Sequence, residues 1–172
     1  MAQVPEKIRV LIVDDETDFA EILSKRLEVR KFEVDTVFSG DEAVGMIQDR
    51  DYDVVLLDVL MPGKSGIDTL KKIKEIRPLV HIIMLTGHAS VETAIEGMEL
   101  GAFDYLIKPT ETDELVEKIR LAYEHKTSQE ERIRLAKMTS APVKKGWKKI
   151  LNPISDLLQK DRTGDDYEAD DA

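Results

Sequence analysis

Apolar runs of strand length alternate with segments of helical period over the first 125 residues. Residues 8–13 are almost uniformly apolar, as a strand buried on both faces requires. Phe19, Ile22, Leu23 and Leu27 then recur at helical spacing. Residues 32–37 alternate and are rich in β-branched side chains, which predicts a strand nearer a sheet edge. Ser39-Gly40-Asp41 supplies a turn and an N-cap for a helix carrying Ala43, Val44, Met46 and Ile47. Residues 54–57 form the most apolar run and predict a central strand. A loop at residues 61–66, rich in Pro and Gly, leads into a helix with Ile67, Leu70, Ile73 and Ile76, which Pro78 ends. Residues 80–85 read as a fourth strand. Ser90 caps a helix whose apolar stripe is Val91, Ala94, Ile95 and Met98, and Gly101 stops it. Residues 103–107 are a fifth strand. Thr112 caps a last helix carrying Leu115, Val116, Ile119 and Ala122, with Glu114 favouring its N-terminal end.

Regular strand–helix alternation implies a parallel sheet with helices on both faces. Right-handed crossovers leave few topologies. The flavodoxin-like (βα)5 doubly wound arrangement, strand order 2-1-3-4-5, is the one expected here, with its switch point between strands one and three.

Composition narrows the function. The chain has 172 residues, 42% hydrophobic, enough for one domain plus an appendage. Its formal charge of -10 argues against a non-specific nucleic-acid binder, and direct nucleic-acid binding is not expected. With no cysteine, disulfides, zinc–thiolate sites and thiol catalysis are excluded. The first ten residues lack a signal-peptide core and no run reaches membrane-spanning length, so a soluble, cytoplasmic protein is expected. Charge is uneven: residues 1–124 carry -11, residues 125–150 carry +6 and residues 151–172 carry -5.

Chemistry-bearing residues gather at the C-terminal ends of the predicted strands. Asp14 and Asp15 follow the first, Asp58 the third, Thr86 the fourth and Lys108 the fifth. In an open parallel sheet those ends line the ligand crevice. Three carboxylates, a hydroxyl and an ammonium there make a site for a divalent cation and a phosphoryl group. Asp14 and Asp15 taken alone could simply cap the next helix. A lysine directly after a buried strand is less readily explained by structure. His81, His88 and His125 show no metal-ligand spacing and read as surface residues.

Leu11-Ile12-Val13-Asp14-Asp15-Glu16, Leu57-Asp58-Val59-Leu60-Met61-Pro62-Gly63, Leu85-Thr86-Gly87 and Gly101-Ala102-Phe103-Asp104-Tyr105-Leu106-Ile107-Lys108-Pro109 occur in this order. Together they resemble the receiver domain of bacterial two-component response regulators over residues 7–125. The resemblance implies that Asp58 is the phosphoacceptor and that Asp14 and Asp15 help bind Mg²⁺, with Leu60 lending its backbone carbonyl. It implies that Thr86 and Lys108 meet the phosphoryl group, that Tyr105 swings inward on activation, and that the Lys108–Pro109 bond is cis. It further implies a sensor histidine kinase or phosphotransfer protein as donor. The altered face of the fourth helix, fifth strand and fifth helix is then read by a target protein or a second copy, as in a homodimer. The apolar Leu60 offers an attacking water no hydrogen bond, so slow hydrolysis is expected. Self-phosphorylation and autodephosphorylation are the only reactions expected; a metabolic enzyme is not.

Residues 126–172 differ in kind. Helical character continues with Ile133, Leu135, Ala136 and Met138 until Ala141-Pro142, where a break is expected. Trp147, Ile150, Leu151, Ile154, Leu157 and Leu158 then recur at helical spacing behind four lysines, and residues 165–172 read as an acidic disordered tail. This extension is too short for an ATPase module and lacks a recognition-helix pattern, so a stand-alone receiver is expected. The competing readings are a phosphorylation-independent binding module, a phosphohydrolase of the haloacid-dehalogenase type and a flavin carrier. The phosphohydrolase wants Asp-x-Asp where Asp58-Val59-Leu60 stands. The flavin carrier wants a Ser/Thr/Gly-rich loop where Asp14-Asp15-Glu16 stands.

Overall fold

A computed structural model of the chain describes residues 7–87 and 90–143, with side chains to residue 139. The apolar runs become the strands β1 (Arg9–Val13), β2 (Glu33–Val37), β3 (Val54–Leu57), β4 (His81–Thr86) and β5 (Asp104–Ile107). Between and after them lie α1 (Thr17–Val29), α2 (Gly40–Asp49), α3 (Gly66–Ile76), α4 (Val91–Glu99) and α5 (Thr112–Val143). All strand pairs are parallel, in the order β2-β1-β3-β4-β5. Burial follows position: β3 and β4 are buried throughout, whereas β2 and β5, at the edges, are mostly half-exposed.

Side chains of successive strand residues point to opposite faces, and two cores result. Leu11, Val13, Val55, Leu57, Ile82 and Met84 pack against α2 and α3 through Ala43, Ile47, Leu70 and Ile73. Val10, Ile12, Val54, Leu56, Ile83 and Leu85 pack against α1 and α5 through Ala20, Leu23, Leu27, Leu115, Ile119 and Ala122. Ser39, Ser65 and Ser90 each accept a hydrogen bond from a first-turn backbone N–H and so cap α2, α3 and α4.

Several expectations are corrected. The stripe expected to seat α4 stays largely in solvent: Val91 is 72% exposed, and Ile95 and Met98 are also exposed. Gly97 is the buried residue of this helix, and a Cβ there would lie 2.4 Å from the Met84 Sδ. The sheet is therefore approached through a residue without a side chain, which turns the apolar stripe outward. Thr112 lies inside α5 rather than at its cap, and its hydroxyl accepts instead from Arg26. α5 continues through Pro142 to Val143, so the break expected at Ala141-Pro142 does not fall there. The chain divides into two compact units between Glu130 and Glu131. In the second, Arg134 donates to Glu131 at 2.8 Å, and Ile133, Leu135 and Met138 are exposed. The Trp147–Leu158 pattern, the acidic tail and His88 lie outside the described residues. Among the described residues no helix is long and apolar enough to cross a membrane.

His81 is not a surface residue. It is buried at the start of β4, stacked near Phe103 and His125. Its Nδ1 lies 2.9 Å from the Leu79 carbonyl oxygen, which can only accept, so Nδ1 carries the proton. Its Nε2 is then the acceptor for the His125 Nδ1–H at 2.7 Å. His125 itself is exposed. Burial lowers the His81 pKa against the opposing pull of the Leu79 carbonyl, and the charges of Lys74 and Lys126 and the His125 ring reinforce it. A histidine held neutral in the folded state stabilises fully above its unfolded pKa of 6.5 and loses that contribution as pH falls through the lowered folded value. His81→Phe is therefore expected to flatten the decline of unfolding free energy below pH 6.5, read by urea denaturation at a series of pH values. An unchanged slope would mean that another group carries the acid sensitivity.

Candidate functional site

Backbone hydrogen bonding continues one residue past the strands, where the chemistry-bearing residues sit. The Asp14 N–H donates to the Val37 carbonyl at 3.1 Å, Asp58 to Val13 at 2.9 Å and Lys108 to Thr86 at 2.8 Å. Asp14, Asp58 and Lys108 are thereby aligned at one edge of the sheet, with Thr86, fully buried, as the last residue of β4. Gly66 braces the same corner. A Cβ on it would lie 2.2 Å from the Asp58 carbonyl oxygen and 2.6 Å from the Val59 Cα, so α3 starts directly beneath the Asp58 backbone. The Lys108–Pro109 bond is cis.

The sequence-designated residues converge with one substitution of neighbour. Carboxylate oxygens of Asp14, Glu16 and Asp58 all lie within 4.8 Å of one another. Asp15, expected as a cation ligand, is exposed and is not part of that group. Glu16, in the same acidic run, was not singled out from the sequence; it is the N-cap residue of α1. Its backbone N–H donates to the Asp14 Oδ1 at 3.0 Å. Leu60 is exposed, and its N–H donates to the Asp58 Oδ1 at 3.3 Å. Tyr105 is half-buried, its hydroxyl 3.4 Å from the Thr93 Oγ1.

Among the described residues, one cation faces these acids. The Lys108 Nζ is 2.5 Å from the Asp14 Oδ2, 3.4 Å from the Glu16 Oε1 and 3.8 Å from the Asp58 Oδ2, on a side chain only 10% exposed. Burial disfavours the Lys108 charge, but the Asp14 hydrogen bond and the charges of Asp14, Asp58 and Glu16 outweigh it and hold its pKa above the usual value. Asp14 goes the other way. Burial raises its pKa, Asp58 adds to the rise, and the contacts from Lys108 and the Glu16 N–H only partly offset it. Two ionised carboxylates at this spacing repel by about 3 kcal/mol at an effective dielectric near 20. The donor set is all oxygen and carries excess negative charge, which suits a hard divalent cation. Mg²⁺ takes oxygen ligands at about 2.1 Å, so the three carboxylates would have to draw closer together to hold it.

A doubly wound parallel sheet thus carries a buried aspartate, an acidic neighbour and a lysine at three of its strand ends. The response regulator receiver domain family matches residues 10–120, and the chain belongs to that family. It is 40% identical over 119 residues to the transcriptional regulatory protein ZraR of Salmonella typhimurium, a match covering 69% of this chain and 27% of that protein. It resembles the CheY-like receiver domain protein from Methanospirillum hungatei at 30% identity and a TM-score of 0.70, covering 72% of this chain and 99% of that one. It also resembles a response regulator from Burkholderia pseudomallei solved with a phosphorylated aspartic acid, a calcium ion and citrate. That match is 26% identical with a TM-score of 0.64, covering 72% of this chain and 73% of that one. The chain spans about a quarter to a half of the length of the curated relatives it matches.

The raised Asp14 pKa makes a stability prediction. A carboxyl with a raised folded pKa stabilises fully below its unfolded value of 3.8, and that contribution is lost as pH rises through the folded value. At neutral pH the ionised Asp14 is thus a net burden on the cation-free fold. Asp14→Asn is expected to raise the unfolding free energy at pH 7 in EDTA, with the gain vanishing below pH 3.8. Denaturant titrations at the two pH values check it; a variant less stable than wild type at pH 7 would refute it.

Proposed function

We propose that the chain is a phosphoacceptor receiver that takes a phosphoryl group on Asp58 from a histidine kinase or phosphotransfer protein. The observation that carries this reading is the Asp58 carboxylate, 5% exposed, set beside Asp14 and within 3.8 Å of the Lys108 ammonium. An Asp58 oxygen attacks the phosphorus of a phosphohistidine. The P–N bond breaks, and its electron pair stays on the imidazole nitrogen. A carboxylate oxygen as nucleophile has no proton to lose, so no general base is needed. Negative charge spreads over the phosphoryl oxygens in the transition state. The Lys108 ammonium moves from Asp14 toward them, and the Thr86 hydroxyl donates to one, so both meet the developing charge electrostatically.

Asp14, Asp58 and the Leu60 carbonyl, completed by Asp15 or Glu16, would hold Mg²⁺; the proximity of Glu16 favours it in the cation-free arrangement. When bound, the cation neutralises charge between the nucleophile and the phosphoryl oxygens. The protein turns over only its own phosphoryl group. A histidine kinase or phosphotransfer protein in the cytoplasm would supply that group.

Output follows as a population shift. Thr86 is drawn to the phosphoryl group and Tyr105 turns inward from beside Thr93. The face made by α4, β5 and α5 changes with it. The exposed Val91, Ile95, Met98 and Ile107 support a role for that face in docking a target or a second copy.

Acetyl phosphate with Mg²⁺ is expected to add the mass of one phosphoryl group to the full chain, and Asp58→Asn or EDTA to abolish the gain. Absence of the adduct in the wild type would favour a receiver that binds partners without phosphate. Leu60→Asn gives the attacking water a hydrogen-bond partner. It is expected to shorten the phosphorylated lifetime by up to about tenfold, the rate equivalent of one hydrogen bond. A lifetime unaltered by the substitution, followed by intact mass after removal of acetyl phosphate, removes Leu60 from the water path.

A further inference from the structure

Phe19 stands in the first turn of α1, half-buried, two residues after the helix begins. Its ring face lies over the Lys108 Nζ, 4.1 Å from the centroid. Lys108 is thus enclosed by three carboxylates on one side and an aromatic face on another. The four groups are not equivalent. Asp14 and Glu16 accept N–H donors and neutralise the ammonium, so each competes with phosphoryl oxygens for the same cation. An aromatic face attracts the ammonium through its quadrupole. It accepts no strong hydrogen bond and carries no charge, so it leaves the donors and the positive charge available.

We infer that Phe19 is a positioning residue for phosphoryl transfer, holding the Lys108 ammonium over the site by a cation–π contact while leaving its charge unspent; the inference rests on the phosphoacceptor reading. Lys108 has a short distance to travel, from 2.5 Å off Asp14 toward the Asp58 Oδ2 at 3.8 Å. A long, flexible lysine leaving its carboxylate partner would otherwise turn toward water. The ring closes that route and stays in contact as the ammonium moves. Beyond the ring lies a groove of about 240 Å³, lined also by Ile22, Leu23, Arg26, Leu85 and Thr110. It leaves room for a larger ring.

The test replaces Phe19 in the full chain with mono-, di- and trifluorinated phenylalanine, which weaken the quadrupole at nearly constant shape. Phosphorylation by acetyl phosphate with Mg²⁺ is expected to slow stepwise along the series, reaching a loss of about five- to thirtyfold. Phe19→Leu should match the low end, and Phe19→Trp should restore the rate. A flat rate across the fluorinated series would overturn the inference and leave Phe19 a packing residue, even if Phe19→Leu were slow or failed to fold. The ring-current shift of the Lys108 ε-methylene protons, followed by NMR in the absence of phosphodonor, gives a second readout. It should shrink along the fluorinated series as the ammonium leaves the ring, and an unmoved shift counts against the contact. If the wild type takes no phosphoryl group, the phosphoacceptor reading fails, and the NMR series still decides whether the ring holds the cation.

Discussion

Backbone hydrogen bonds carried one step beyond the strands are the constraint on which the site depends. A parallel ladder sets the register of each strand against its neighbour, and here it also sets the first residue after the strand. Asp58 is tied to Val13, Lys108 to Thr86 and Asp14 to Val37. Side chains nearly 50 or 100 positions apart in sequence are therefore placed by the sheet rather than by flexible loops. The core underneath secures the ladder: β3 and β4 are buried on both faces, so neither can slip without exposing its apolar set. Gly66 adds the last restraint, because only a residue without a Cβ lets α3 begin against the Asp58 carbonyl.

The cleft so built is electrostatically unbalanced. Asp14 and Asp58 are 2% and 5% exposed, and among the described residues Lys108 is the cation that faces them and Glu16. The opposite effects on Asp14 and Lys108 have one origin. Burial penalises both charges, but the lysine has three acids to offset the penalty, whereas the aspartate has one lysine and a like-charged neighbour. Such a site favours any ligand that brings positive charge to the acids, and then any anion that the freed lysine can meet. On the proposed reading, cation binding and phosphoryl acceptance would be coupled through this shared charge.

Much of this was legible in the sequence because it depends on strand period and strand ends. Continuous apolar runs at residues 8–13 and 54–57 mark central strands, and the alternating run at 32–37 marks an edge, as its half-exposed burial confirms. Asp14, Asp58, Thr86 and Lys108 were identifiable for the same reason, since each stands at or just past a strand end. What depended on tertiary approach was not legible. The α4 stripe has the spacing of a core face, yet Gly97 makes the contact. His81 looks like a polar strand residue, but Leu79 and His125 satisfy its ring and allow burial. Glu16 and Phe19 join the site through the turn that leads into α1, and no period records where a turn points.

The weak seating of α4 bears on how a small chemical change can become a signal. α3 buries Ile67, Leu70 and Ile73 and is bound firmly, whereas α4 buries Gly97 and leaves its apolar side chains in water. An element with little buried apolar surface has little free energy opposing its displacement. It also begins just past β4, the strand that ends in Thr86, and its Thr93 touches Tyr105. A displacement of Thr86 would therefore act on the least anchored helix of the described sheet, through a half-buried tyrosine already in contact with it. The apolar stripe of α4 is then both the consequence of weak docking and the surface a partner can cover. Covering it would stabilise whichever placement of α4 fits the partner, so a partner and a phosphoryl group that prefer the same placement would each strengthen the other's hold.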